Sequence, residues 1–73
     1  MTEYGVVLFF TTSSATHAEK VLCKAGLITR LIPTPRQFSS DCGVSLRFMW
    51  DDLEKVESLL KSGNVELNSI HLM

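Results

Sequence analysis

At 73 residues the chain has room for one domain and no more, so residues 1–73 are expected to form a single unit. A formal net charge of −1 with mixed charges and no basic stripe gives no footprint for nucleic acid. The longest apolar run, Gly5 to Phe10, is too short to cross a bilayer, and no metal-ligand cluster stands at familiar spacing.

A chain this short buries only roughly 60% of its unfolded surface, so its core must be well used. A hydrophobic fraction of 45% suffices for a core and leaves some over for an interface. Two cysteines, Cys23 and Cys42, make no disulfide scaffold. No charged leader, apolar stretch and cleavage site are recognisable, so secretion is not expected. Free cysteines then fit a reducing cytoplasm.

Tyr4 to Phe10 is nearly all apolar, which reads as a central strand buried on both faces. Polar Thr11 to Ser14 follows. Thr16 and Glu19 have capping-box spacing, and Ser13 or Ser14 is a competing N-cap. Ala15, Ala18, Leu22 and Ala25 recur at helical spacing, so the first helix spans about Ser14 to Ala25. Gly26 sits where a left-handed C-cap is wanted. Cys23 lies one residue beyond the apolar stripe, and packing is its expected role.

Leu27 to Pro33 reads as the second strand, stopped by Pro33. Thr34 to Gly43 is rich in hydroxyls, proline and glycine, so it is a loop or a single helical turn. Val44, Leu46, Phe48 and Trp50 alternate with Ser45, Arg47 and Met49, a strand with one buried face. Asp51 or Asp52 is expected to cap the second helix. Its apolar face is Leu53, Val56, Leu59 and Leu60, and Gly63 ends it. Val65 to Leu72 is the last strand, with a slip in alternation near Asn68 and Ser69.

The order is β-α-β-β-α-β, and each half is strand, capped helix, helix stop and strand. Right-handed crossovers place both helices on one face. The predicted fold is α+β: a ferredoxin-like split βαβ with a four-stranded antiparallel sheet and strands 1 and 3 central. Helices cover only one face, so some of Val7, Phe9 and Met49 are expected on the other. A partner subunit or ligand would then cover it, for example in a homodimer through the open sheet face.

Cys42 stands in Ser39-Ser40-Asp41-Cys42-Gly43. A working thiol must be reachable and partly thiolate. Ser39 and Ser40 can donate to a thiolate or anion, and Arg36, with Arg30 or Arg47, can favour the thiolate. Gly43 permits close backbone approach or positive φ. Asp41 acts the other way, and a cysteine tucked under the loop as a small hydrophobe is the competing reading. Pro33 and Pro35 stiffen the segment before Arg36. His17 and His71 read as surface residues without visible partners.

Two families with this fold lack their signatures here. Heavy-metal-associated domains need Cys-x-x-Cys after strand 1, where this chain has Thr11-Thr12-Ser13-Ser14. RNA-recognition motifs need aromatics on the open face of strand 3, where this chain offers Ser45, Arg47 and Met49.

Three stretches carry a more specific likeness: Arg30-Leu31-Ile32-Pro33-Thr34-Pro35-Arg36, Ser39-Ser40-Asp41-Cys42-Gly43 and Leu46-Arg47-Phe48. Together with Glu19-Lys20, Leu22 and Ala25-Gly26-Leu27, the chain resembles the small selenium/sulfur carrier-like proteins, formerly classed as a bacterial domain of unknown function. Phe38, in place of an aliphatic, and charged Asp41 depart from the pattern.

The resemblance implies that Cys42 is the loop cysteine that holds sulfur or selenium as a persulfide or selenopersulfide. Arg36, Ser39, Ser40 and Gly43 would line the site. Donor and acceptor proteins are implied as partners, with no cofactor, and the chain would be a carrier rather than a stand-alone enzyme. A ligand-sensing or interaction module dimerising through its sheet is the alternative, with a thiol redox sensor behind it.

Overall fold

The computed structural model describes residues 3–38 and 43–73. Seven elements follow in order: β1 (Tyr4–Leu8), α1 (Thr12–Lys24), β2 (Thr29–Pro33), β3 (Val44–Met49), a 3-10 turn (Trp50–Asp52), α2 (Leu53–Ser62) and β4 (Ser69–Leu72). The strands form one sheet in the order β2-β3-β1-β4, every neighbouring pair antiparallel. The fold is the expected ferredoxin-like α+β sandwich, with β1 and β3 central.

Register fixes which side chains meet. Val7 lies opposite Leu46 and Ile70, and Gly5 lies opposite Phe48. These residues face the helices, where Val7, Phe9, Leu46 and Phe48 pack with Ala15, Ala18 and Leu22 of α1 and Val56 and Leu60 of α2. Val7 and Phe9 are fully buried there. The expectation that they line the open face is therefore corrected. A strand apolar on both sides carries no phase of its own, and pairing with β3 supplies it. The open face instead carries Tyr4, Val6 and Leu8 from β1, Ser45, Arg47 and Met49 from β3, Arg30 and Ile32 from β2, and Ser69 and His71 from β4.

Helix α1 begins two residues earlier than expected. Thr11 has extended backbone, and its hydroxyl accepts a hydrogen bond from the Ser14 amide at 3.2 Å. That satisfies one of the donors orphaned at a helix start. Four hydroxyl residues in a row offered several caps. Thr11 prevails, its extended backbone standing directly before Thr12, the first helical residue.

Both helices end in the same device. After α1, the Gly26 amide donates to Cys23 and the Leu27 amide to Leu22. After α2, Asn64 donates to Lys61 and Val65 to Leu60. Each is a Schellman stop, with Gly26 (φ 83°) and Asn64 (φ 53°) in the left-handed region. The residue equivalent to Gly26 is thus Asn64 rather than Gly63, which is the C-cap. Gly63 is small for a different reason: a Cβ there would meet Val21 Cγ2 at 3.2 Å, where α2 packs on α1.

Three boundaries shift. Asp52 holds the N-cap position of α2 but its side chain makes no capping bond, because the 3-10 turn leads the chain in. β2 starts at Thr29, leaving Ile28 exposed. β4 is shorter than expected and begins after the slip, where the Asn68 amide donates to the Leu8 carbonyl at 2.7 Å. Among the described residues no helix is long and apolar enough to cross a membrane.

Candidate functional site

The candidate site is built on the hairpin end between β2 and β3. β2 is an edge strand, the one place in a sheet where Pro33 costs no ladder bond. Beyond it the Thr34 amide donates to the Gly43 carbonyl at 3.0 Å, closing the base of the loop. The Thr34 and Ser45 hydroxyls share a second bond at 2.8 Å, and Ser45 is fully buried. Pro35 opens a tight turn in which the Phe38 amide donates back to its carbonyl at 3.0 Å.

Phe38 then reaches the far edge of the sheet. Its ring stacks on His71 of β4, with centroids 4.9 Å apart and planes 23° apart. β2 and β4 are opposite edges, separated by three inter-strand steps of roughly 4.8 Å each. The loop that leaves β2 therefore crosses the open face over β3 and β1. This accounts for the burial of Val6, Leu8 and Ser45 on a face that no helix covers. His71 is oriented from below by a 2.8 Å bond between its Nε2 and the Ser69 hydroxyl. The reading of His71 as a partnerless surface residue is corrected.

Arg36 lies exposed in the tight turn, and Gly43 is exposed at the loop's return. A Cβ built on Gly43 meets no heavy atom within 4 Å among the described residues, so close packing is not what requires a glycine there. Ser39, Ser40, Asp41 and Cys42 lie outside the described residues. The fold brings Arg36 and Gly43 into one loop. That loop shares an end of the domain with the start of α1: Thr12, Pro33, Gly43 and Val44 line one groove of about 310 Å³.

Cys23 is exposed on α1, which corrects its expected packing role. Ala15, Ala18 and Leu22 define the buried stripe and leave position 23 outside it. No group of three or more His, Cys, Asp or Glu that could hold a metal occurs among the described residues.

A family model described as "Putative Se/S carrier protein-like" matches residues 4–72. The chain belongs to this family. Comparison with curated proteins and with solved structures gives no match. The match to this carrier-like family extends from the first residue of β1 to the last of β4, so the whole sheet and the loop crossing it lie inside it.

Phe38, His71, Ser69, Thr34 and Ser45 are the residues that reasoning along the chain missed. The one available signal was Phe38, an aromatic in a polar loop. If the stack anchors the loop, Phe38→Ala and His71→Ala should be coupled by about 0.5–1.5 kcal/mol in a double-mutant cycle. Urea unfolding followed by Trp50 fluorescence reads this, and additive effects would show that the rings do not cooperate.

Proposed function

We propose that this protein carries sulfur or selenium on Cys42 and hands it to a partner enzyme. The observation that carries the reading is the match of residues 4–72 to the carrier-like family. The framework around the loop supports it: a base closed by Thr34 and Gly43 and a Phe38 anchor on His71. A segment fixed at its base and part-way along can present a thiol at a repeatable position without a covering domain.

In this reading the Cys42 thiolate attacks the outer sulfur of a donor persulfide, RSSH. The donor's S–S bond breaks, RS⁻ leaves, and a Cys42–S–SH persulfide forms. One S–S bond replaces another, so no outside oxidant or reductant is needed. Selenium follows the same course as a selenopersulfide. Arg36 favours the thiolate, Ser39 and Ser40 donate hydrogen bonds to it, and Gly43 leaves the approach open. Donor and acceptor proteins are the partners, and the reducing cytoplasm is the fitting compartment, with residues 1–73 acting as one domain. The homodimer through the open face loses the exposed Val7 and Phe9 that motivated it, since both are buried against the helices.

The reading requires a reactive thiol. The pH dependence of Cys42 alkylation, measured in a Cys23→Ser background, should show a thiolate forming well below the ordinary cysteine value of about 8.5. Slow alkylation with a midpoint at or above that value would return Cys42 to a packing role.

A further inference from the structure

All seven basic side chains are sorted by type. Lys20 and Lys24 sit on α1, and Lys55 and Lys61 on α2. Arg30 and Arg47 sit on the sheet, and Arg36 on the loop that crosses it. Arg30 and Arg47 lie directly opposite each other in the β2–β3 register, on the open face. Like charges so placed repel at a Cβ separation of roughly 5 Å. None of the described strand residues on this face is acidic. The Arg47 guanidinium rests over the Tyr4 ring, 4.5 Å from its centroid, which fixes one fork in place.

These residues line a groove of about 440 Å³ together with Ile28 and Met49, and His71, which carries the Phe38 ring, lies in the same cross-strand row as Arg47 and Arg30 on the far side of β1. Ile28 is 74% exposed, a large apolar side chain left in water beside two arginines. Two guanidiniums on neighbouring strands suit two carboxylates, because each planar fork can bind one bidentately. In an extended peptide, alternate side chains share a face about 6.8 Å apart, a span the two long arginines can bridge. An apolar neighbour of those carboxylates would cover Ile28, Met49 and the free part of the Tyr4 ring. A bare inorganic anion would use the arginines and leave that apolar rim wet.

We propose that the groove of Arg30, Arg47, Tyr4 and Ile28 is a docking site for an acidic, partly apolar peptide segment of a partner protein. The site does not depend on chalcogen chemistry at Cys42.

The test uses reduced, unloaded full chain labelled with ¹⁵N. It is titrated with a short peptide alternating Glu or Asp with Leu and Ile, with the same peptide carrying Gln and Asn for the acids, and with inorganic phosphate. The acidic peptide should shift the amides of Arg30, Arg47, Tyr4 and Ile28 and bind more weakly as salt rises. Arg30→Gln and Arg47→Gln should each weaken it roughly five- to tenfold while the spectrum stays dispersed. No shift at these four residues would overturn the proposal, as would equal binding of the neutral peptide. Phosphate binding as tightly as the acidic peptide would also overturn it, leaving a small-anion site.

Discussion

Gly5→Ala is expected to destabilise the fold by about 2–3 kcal/mol, against the usual gain from replacing a glycine within a strand. Gly5 sits on β1, one of the two central strands, directly opposite Phe48. The Phe48 ring lies across the space where a side chain would begin. A Cβ at position 5 would strike Phe48 Cζ and come within 2.7 Å of Trp50 Cε3. The two rings stack on each other with centroids 6.0 Å apart, so neither can turn without moving its neighbour. Phe48 is buried among Val7, Leu46 and the helices. The clash is with ring atoms, so shortening the ring side chain should relieve it. Phe48→Leu and Gly5→Ala together should therefore cost less than the sum of the two alone. Urea unfolding of the four proteins, read by Trp50 fluorescence, checks this. A Gly5→Ala variant as stable as the parent would show that the rings accommodate the methyl freely.

How much of this was legible in the sequence depends on the range of the interaction. The Gly26 stop and the alternation of Leu46 and Phe48 are local, and both stand in the structure as read. So does the placement of β1 and β3 at the centre, which follows from two βαβ halves with right-handed crossovers. The facing of β1 was not legible, because Tyr4 to Phe10 is apolar at nearly every position and only pairing with β3 chooses between its two faces. The Asn64 stop was hidden by Gly63, a glycine kept for packing against Val21. Of the candidate site, Arg36 and Gly43 were legible as parts of one loop. The Phe38–His71 stack was not, because it joins a loop to a strand far along the chain and exists only once the sheet order is known.

That stack changes the physical picture of the loop. The described part of the loop is laid across the sheet, pinned at Phe38 and closed at its base by the Thr34–Gly43 bond.

Cys42→Ser is expected to abolish chalcogen loading altogether, the largest functional effect of any single change. Serine keeps the size and a hydrogen-bonding group, but its hydroxyl neither ionises near neutral pH nor attacks a persulfide. Cys23→Ser should leave loading unchanged, although Cys23 is exposed, because the proposed chemistry belongs to the loop thiol alone. The most direct measurement is the intact mass of each protein after incubation with a cysteine desulfurase and free cysteine. An adduct of about +32 Da, one sulfur atom, that reductant removes is expected. It should appear on the parent and on Cys23→Ser and be missing from Cys42→Ser. An unmodified parent under conditions that load other persulfide carriers, or an adduct that persists in Cys42→Ser, would contradict carriage on Cys42.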